Sequence, residues 1–385
     1  MSAVEQTTAP LPADSQAVES RSLRGAPDSP ISIYEVHLPS WMRVPEEQNR
    51  PLTGFEIAPK LAEHLKFLHF THVQLHSPDY SDTDELKFLV EYLQQRDLGV
   101  ILPADPLHNH LTTSGPETLR VEGWYADGNV RISGHPYQWD FAWAEEISTY
   151  LALDPQERKF RQTQLGSRDH APFPAHYILP LSDRLVSRPK RSLYAMMPGD
   201  VWRKFASLRL LFTYMYLLPG KKLLFMGNEF GQENPWRPET SLDWHLLNEP
   251  NFHSQLMSWV ATLNQFYRGE GALYQTDSLA SGFQWVDKSD AESGIVSFLR
   301  RNPDGSEVLL TVLNFTPLPH NNYRVGVPKG GFWTERLNSD ALEYGGSGQG
   351  NLGGREAAPF GWNFQSQSLI LTIPPLAAVV FKSPL

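Results

Sequence analysis

The stretch ISIYEVHL, at residues 31–38, is an apolar run that contains β-branched residues and predicts a buried strand. Working outward along the chain, an amphipathic helix is expected at 59–68, where leucines recur at spacings of four and three. A second strand is expected at 71–76, a second helix at 82–95 and a third strand at 100–102. Strands that alternate with helices indicate parallel βαβ units, and therefore an α/β fold.

The pattern changes near residue 275, where short strands with alternating apolar residues follow one another. The turn Asn302-Pro-Asp-Gly305 predicts a hairpin between two of them. This part of the chain is expected to form a C-terminal antiparallel β-sandwich. The sequence thus divides into a lead-in at 1–30, rich in Ala, Ser, Pro and Gln and expected to be disordered, an α/β unit at 31–272 and an all-β domain at 273–385.

Composition and charge narrow the classes of function. The 385 residues carry 33 Lys and Arg against 43 Asp and Glu, a net charge of −10, which argues against a nucleic acid or a membrane surface as partner. No Cys is present, so disulfides and cysteine nucleophiles are excluded, and no apolar run approaches the roughly 20 residues of a membrane span. No secretory signal is apparent, and a cytoplasmic protein is expected. The 11 Trp residues suit a carbohydrate-handling protein, and a large core equally well.

Several blocks of sequence carry a family resemblance. They lie at 32–41, at 197–206 (MPGDVWRKFA), at 218–232 (LPGKKLLFMGNEFGQ), and at 241–247, 314–317 and 371–377. Together they resemble glycogen (1,4-α-glucan) branching enzymes of glycoside hydrolase family 13. The resemblance implies a (β/α)8 barrel with a C-terminal β-sandwich, and an enzyme that cleaves an α-1,4 glucan link and re-forms it as an α-1,6 branch with retention. It implies α-glucan or glycogen as partner and no cofactor, and neither a P-loop nor a dinucleotide fingerprint occurs.

The resemblance also implies which groups would do the chemistry. Retention needs a carboxylate nucleophile and a carboxylic acid roughly 5–5.5 Å apart, which the family places at the ends of barrel strands four and five, with a His-Asp pair at strand seven. The segment Asp105-Pro-Leu-His-Asn-His110 resembles the family's motif after strand three. Asp105, Asn109 and His110 are therefore candidate glucan-binding residues, with an ordinary polar loop as the alternative.

The strand-seven motif departs from the family pattern. Leu179-Pro-Leu-Ser182 matches it, but Asp183-Arg184-Leu185 comes next where the family has His-Asp-Glu. Arg184 thus stands at the place of the transition-state carboxylate, where a guanidinium destabilises the positive charge that develops on the sugar. Glu229, after the last barrel strand, is expected to be ion-paired or to act as a cap.

The middle of the chain is too short for a complete barrel. A βα unit takes about 30 residues, and only residues 103–176 separate the third strand from the strand that begins at Tyr177. The segment 137–155 resembles the stretch after strand five in the family, so we infer a deletion that removed strands four and five. Leu119-Arg-Val-Glu122 resembles the nucleophile motif, which makes Glu122 a vestigial candidate; a loop residue is the other interpretation.

A metal site is not expected from the sequence. His108 and His110 lie two positions apart near Asp105, but no third ligand is spaced convincingly. Glu145 and Glu146 are expected on a solvated helix face.

These observations predict a truncated (β/α)8 TIM-type barrel followed by the C-terminal β-sandwich. The predicted function is that of a branching-enzyme-like protein that is catalytically inactive and binds α-glucan or an active glycogen enzyme. Two alternatives stay open: an active 1,4-α-glucan branching enzyme or related glucanotransferase with an altered site that uses Glu122, and an interaction protein. Because missing strands expose edges, residues 103–136 are expected either to plug the gap or to form a homodimer contact.

Overall fold

A closed eight-stranded barrel forms the first part of the chain. The computed structural model describes residues 26–76, 83–103, 122–124, 129–132, 135–165, 176–187 and 191–384. The strands of this part, which include a small hairpin of β2 and β3 beside the barrel, are β1 Ser32–His37, β2 Arg43–Val44, β3 Arg50–Pro51, β4 His72–His76, β5 Gly99–Pro103, β6 Glu122–Trp124, β7 Asn129–Ile132, β8 His135–Trp139, β9 His176–Leu181 and β10 Lys221–Phe225. The order around the barrel is β1-β10-β9-β8-β7-β6-β5-β4.

Seven of the barrel strands run parallel, and β7 runs antiparallel to both of its neighbours. Strands β6, β7 and β8 have only three, four and five residues. Among the described residues no helix lies between β5 and β8. The arc from β5 to β8 therefore lacks the alternation of strands and helices found in the rest of the barrel. The predicted fold, a truncated TIM-type barrel followed by a β domain, is confirmed, and β6 and β7 close the gap within one chain.

Helices cover the outer face of the barrel. In the described residues they are α1 Leu38–Trp41, α2 Gly54–Phe67, α3 Thr83–Gln94, α4 Phe141–Ala152, α5 Pro155–Arg158, α6 Asp183–Ser187, α7 Leu193–Met196, α8 Val201–Leu217 and α9 Phe252–Gly269. Helix α2 begins with a capping box, in which Thr53 accepts a hydrogen bond from the backbone of Glu56 and the Glu56 side chain accepts one from the backbone of Thr53. Helices α8 and α9 are joined in the core by the hydroxyl of Tyr216, which donates to Asn264.

Apolar side chains fill the interior of the barrel. The layer consists of Ile31, Ile33, Ile101, Ile132, Tyr137, Ile178 and Leu223, all of them buried. Because Ile132 belongs to β7 and Tyr137 to β8, the short strands contribute to this core as the long ones do. Strand alternation places Glu35, two residues beyond Ile33, on the same inner face. Polar groups therefore begin where the apolar layer ends.

The C-terminal domain is antiparallel. Its strands are β11 Phe283–Asp287, β12 Ile295–Arg301, β13 Val308–Asn314, β14 His320–Val327, β15 Gly331–Asn338, β16 Gly354–Ala357, β17 Gln367–Ile373 and β18 Ala377–Lys382. Six of them form one sheet in the order β11-β12-β13-β18-β15-β16, and β14 pairs with β17. Apolar side chains of both layers, such as Val312, Trp333 and Leu369, form one core. The hairpin predicted at 302–305 joins β12 to β13.

A buried ion cluster joins the barrel to this domain. The carboxylate of Asp277 accepts from Lys221 Nζ at 3.1 Å and from Arg300 Nη2 at 2.8 Å. Lys221 also donates to the carbonyl oxygens of Pro27 and Ser29. Burial alone would raise the pKa of Asp277, but the attraction of Lys221 and Arg300 outweighs it and lowers that pKa. One carboxylate thus connects β10, β12 and the segment before β1.

Several predictions about the domains lie outside the described residues or are not tested by the structure. Of the lead-in expected to be disordered, residues 1–25 lie outside the described residues. The boundary between 272 and 273, and the identity of the lost strands as four and five, stay predictions. Within the described ranges, no helix is long and apolar enough to cross a membrane.

Candidate active site

The carboxyl ends of the parallel barrel strands meet at one rim, the end at which barrels of this kind place reactive groups. In the register of β1 and β4, Glu35 lies beside Gln74 and His37 lies beside His76. The spacing of two within each strand puts these four side chains on the inner face. Asp183, the first residue of α6, follows β9 at the same rim. Three elements that are distant in sequence therefore bring their polar residues together.

Glu35 is the buried carboxyl group of this rim, with only 1% of its surface exposed. Its Oε1 accepts from Gln74 Nε2 at 3.2 Å, and its Oε2 accepts from the backbone N–H of Asp183 at 3.1 Å. Burial raises the pKa of Glu35 well above its usual range, and the neighbouring charge of Asp183 raises it further. The ionised form of Glu35 is therefore costly unless a positive charge comes close to it.

His76 lies between the two carboxyl groups. Its Nδ1 is 3.8 Å from Oε1 of Glu35, and its Nε2 is 3.8 Å from Oδ2 of Asp183. One nitrogen or oxygen atom from each of the three side chains lies within 4.8 Å of the other two. The rim thus holds a compact group of one imidazole and two carboxyls.

His37 stands next to this group and is neutral at pH 7. Its Nδ1 is 2.7 Å from the hydroxyl oxygen of Ser40, and its ring meets that of Trp236 edge-on at a centroid distance of 5.4 Å. Burial, followed by the charges of His76 and Arg43, lowers the pKa of His37 to about 4. His37 therefore adds an aromatic wall and no positive charge.

Arg184 does not extend into the polar group. Its guanidinium carbon lies 4.6 Å from the ring centroid of Phe141, and its Nη2 is 3.6 Å from Oε1 of Glu145. Both of these partners belong to α4, and the side chain of Glu145 is 57% exposed. The position that the sequence assigned to a transition-state carboxylate is thus occupied by a side chain that stacks on a neighbouring helix.

Glu229, just after β10, is fully buried. Its Oε1 accepts a hydrogen bond from the hydroxyl of Tyr34 at 2.8 Å and lies 3.0 Å from Nε2 of His64. The expected role as an ion-paired or capping group stays a prediction, because the contact with His64 is an ion pair only when the imidazole is protonated. The contacts with Tyr34 and His64 leave this carboxylate without access to solvent, and so without access to a sugar.

The remaining sequence candidates are described only in part. Glu122 is the first residue of β6, and its backbone pairs with Ile101 of β5, so it lies in a strand and not in a loop. Its side chain is outside the described part of the structure. Asp105, Asn109 and His110 also lie outside it, and their role in glucan binding stays a prediction.

Among the described residues, the two carboxyl groups of this polar group are not both accessible to solvent. Asp183, with a side chain 23% exposed, is the accessible member of the carboxyl pair. Glu35 is covered, although a nucleophile has to reach the sugar carbon and an acid has to reach the leaving oxygen. Their separation of less than 4.8 Å therefore reflects a buried contact and not two groups that flank a substrate.

Sequence analysis missed Glu35 and His76 as functional candidates. A signal was present, because Glu35 and His37 in one strand, and Gln74 and His76 in the next, are polar residues at alternate positions of otherwise apolar runs. Polar residues on the buried face of a strand require partners. The partner Asp183, however, is 148 positions away from Glu35, so spacing alone does not identify it.

A second feature is a cleft between the barrel and the β domain. It is open to solvent and is lined by residues that include Trp143, Tyr214, Phe283 and Trp285. Phe283 meets Trp285 edge-on at 5.1 Å. The buried indole N–H of Trp143 has no hydrogen-bond acceptor among the described residues. Aromatic walls with a few polar groups are typical of sites for small organic ligands.

Known proteins match this chain over nearly its whole length. Residues 285–384 match the family described as "Alpha amylase, C-terminal all-beta domain". The 1,4-alpha-glucan branching enzyme GlgB of Aquifex aeolicus is 34% identical over 501 residues, which covers 96% of this chain and 79% of that protein. The GlgB of Aromatoleum aromaticum is 33% identical, with 97% and 78% covered. An alignment over 501 residues is longer than the 385 of this chain, so it includes long gaps here.

Solved structures agree at the level of the fold. AmyP in complex with maltose has a TM-score of 0.64 at 12% identity, with 96% of this chain and 98% of that chain covered. The alpha-amylase from H. orenii has a TM-score of 0.58 at 13% identity, with 92% and 99% covered. At these identities the likeness concerns the fold alone.

Proposed function

Because this chain belongs to the 1,4-alpha-glucan branching-enzyme family, we propose that it acts in α-glucan metabolism as a non-catalytic member that binds α-glucan. The observation that carries this proposal is the replacement at the third catalytic position. Asp183, Arg184 and Leu185 come after the matching Leu-Pro-Leu-Ser segment, and the Arg184 guanidinium lies on Phe141 and Glu145 instead of supplying a carboxylate at the rim.

The architecture of the arc from β5 to β8 supports the loss of chemistry. Reactive residues of a parallel barrel come from the carboxyl ends of its strands. Strand β7 runs in the opposite direction, so its carboxyl end lies at the other rim. Strand β6 has only three residues and begins with Glu122. We infer that the two strands which carry the nucleophile and the acid in the family have no full equivalent here.

The aromatic cleft supports glucan binding. Trp285 and Phe283 offer ring faces on which the apolar face of a sugar can pack. The proposed contact is with a chain end of the glucan.

A partner protein belongs to the same proposal. The loop before β17 exposes three aromatic side chains: Phe360 and Trp362 are about half exposed, and Phe364 is fully exposed. Aromatic side chains grouped at a surface favour contact with another protein. We propose an active glycogen enzyme or a second copy of this chain as that partner.

The cytoplasmic location inferred from the sequence stays a prediction.

A branching assay tests the loss of activity. The purified chain is incubated with amylose, and α-1,6 branch points are counted by debranching and chain-length analysis, with an active branching enzyme as the positive control. We expect no branch points above the blank. Branching by this chain that disappears in Glu122→Gln would overturn the proposal and establish the alternative, an active glucanotransferase with an altered site.

A binding assay tests the glucan site. Retardation of the native protein in gels that contain soluble glycogen or amylopectin gives an apparent Kd. Losing an aromatic contact worth about 0.5–1.5 kcal/mol weakens binding about two- to tenfold, so Trp285→Ala should reduce retardation. Phe332→Ala is the matched control, because Phe332 is a half-exposed aromatic residue of the same domain that does not line the cleft. Equal retardation of the two variants, or none in the wild type, would contradict glucan binding in this cleft.

A further inference from the structure

Glu35, His76 and Asp183 form a group that the proposed function does not use. One potential ligand atom of each lies within 4.8 Å of the other two. The three come from β1, from the end of β4 and from the start of α6, so rigid elements hold at least two of them. Their donor set is one imidazole nitrogen and two carboxylate oxygens.

The two carboxyl groups lack a permanent cation nearby. Among the described residues, no Lys or Arg nitrogen lies within 4.0 Å of Glu35 or Asp183, and the basic group that does is the imidazole of His76. With both carboxyls ionised the group carries two negative charges, of which His76 can neutralise one at most. Because Glu35 is only 1% exposed, solvent does little to screen the repulsion.

Gln74 supplies an independent observation. Its side chain is completely buried, and its Nε2 donates to Oε1 of Glu35, which fixes the amide against the polar group. Its Oε1 has no hydrogen-bond partner in the described part of the chain. A buried amide oxygen is rarely left unpaired. It is a buried, unpaired oxygen on the same amide that contacts Glu35.

We propose that Glu35, His76 and Asp183 bind a divalent first-row transition-metal ion, with Zn²⁺ as the preferred ion and the amide of Gln74 next to the site. Three protein ligands of the types His, Glu and Asp, with one position left for water, are typical of zinc sites that are not purely structural. A mixed nitrogen and oxygen set favours Zn²⁺ over Ca²⁺ or Mg²⁺, which prefer oxygen alone. The ion supplies the positive charge that the pair of carboxyls lacks.

The three side chains have to move closer together to bind the ion. Ligands at about 2.0–2.2 Å from a tetrahedral zinc ion are about 3.4 Å apart. The two contacts of 3.8 Å start from different ring nitrogens of His76, Nδ1 toward Glu35 and Nε2 toward Asp183, so only one of them is a distance between two ligands of the same ion. That distance is close to the spacing of about 3.4 Å, and the remaining distances between one ligand atom of each residue are within 4.8 Å. The side chain of Asp183 lies at the start of a short helix and is partly exposed, so it can move without disturbing the barrel core. One ring nitrogen of His76 binds the ion, and the other remains a hydrogen-bonding group.

Direct metal analysis tests the proposal on the full chain. The protein is stripped with a chelator, dialysed against Zn²⁺ and analysed by mass spectrometry for bound metal, and Co²⁺ is added in parallel to follow its visible absorption. We expect one tightly bound Zn²⁺ per chain, and for the Co²⁺ form a visible absorption spectrum that indicates a low coordination number of the ion. Asp183→Asn and His76→Gln should weaken binding at least about tenfold, as measured by competition with a chelating dye.

A matched control separates this site from chance binding by other histidines. His245→Gln changes an exposed histidine outside the group and should leave the stoichiometry and affinity unchanged. Circular dichroism confirms that each variant is folded. Less than one Zn²⁺ per wild-type chain overturns the proposal, since a shared proton then explains the carboxyl pair. Unchanged binding by Asp183→Asn and His76→Gln also overturns the proposal, because the ion then binds elsewhere. An affinity for Ca²⁺ equal to that for Zn²⁺ contradicts the role of the imidazole as a ligand.

Discussion

Replacing Asp277 with Asn removes the carboxylate that pairs with both Lys221 and Arg300 and leaves the two cations buried. The side chains of Lys221 and Arg300 are 1% and 0% exposed, so neither recovers its hydration by a small movement. Removing one partner of a buried ion pair costs about 3–5 kcal/mol. Lys221 keeps its hydrogen bonds to the carbonyl oxygens of Pro27 and Ser29, and Asn can still accept one hydrogen bond. We therefore expect the lower end of that range, a loss of about 3 kcal/mol in the free energy of unfolding.

Urea denaturation at pH 7 with linear extrapolation measures this loss. The matched control is Asp200→Asn, because Asp200 caps α8, pairs with Arg203 at 3.7 Å and has a side chain 65% exposed. Asn caps a helix about as well as Asp, and exposed ion pairs contribute little, so the control should lose less than about 0.5 kcal/mol. A loss for Asp277→Asn no larger than that of the control would refute the idea that this cluster holds the two domains together.

The dependence on pH gives a second check of the same cluster. The pKa of Asp277 is lowered in the folded protein. Its contribution is therefore complete above the unfolded-state pKa of about 3.9 and is lost as the pH falls through the lower folded-state value. The difference in stability between wild type and Asp277→Asn should stay constant from pH 7 to about 5 and shrink at lower pH. A difference that grows on acidification contradicts the assigned charge.

Three further measurements test other contacts. Histidine NMR should show that His37 titrates near pH 4, because burial disfavours its charged form; a midpoint above 6 contradicts this. Gly99→Ala should cost about 1–3 kcal/mol in urea denaturation, because the added methyl meets the ring of His72, and His72→Ala should restore part of the loss. Thr53→Ala removes the capping box with Glu56 and should cost about 1 kcal/mol, whereas Thr53→Ser should cost much less.

The sequence predicts the long elements of this fold and not the short ones. The strands that begin at Ser32 and His72, and the helix Gly54–Phe67 between them, are long enough for their periodicity to be recognised, although the sequence placed Pro59 in the first turn of that helix. The segment 103–135 shows no such pattern, although it contains β6 and β7. Strands of three and four residues have too few side chains to establish alternation. Their pairing with β5 and β8 decides their conformation, and that information is not local.

The polar rim was predictable only in part, for a similar reason. The replacement at Asp183 and Arg184 is visible in the sequence, but the direction of the Arg184 side chain is not. A long cation near a ring face and a carboxylate, here Phe141 and Glu145, gains contacts that a motif comparison cannot anticipate. Glu35 was hidden because it lies inside a run that predicts a buried strand. Its contacts with Gln74, His76 and Asp183 arise only when the barrel closes.

Barrel closure and catalysis impose different requirements on the same strands. Closure requires backbone partners and inward apolar side chains, and β7 provides both, since it pairs with β6 and β8 and contributes Ile132 to the interior. Chemistry requires in addition that a strand ends at the reactive rim, which the reversed direction of β7 prevents. The polar groups described at that rim, Glu35, His76 and Asp183, accordingly come from β1, β4 and the turn after β9. An antiparallel strand therefore preserves the core of such a barrel, while its own carboxyl end lies at the opposite rim.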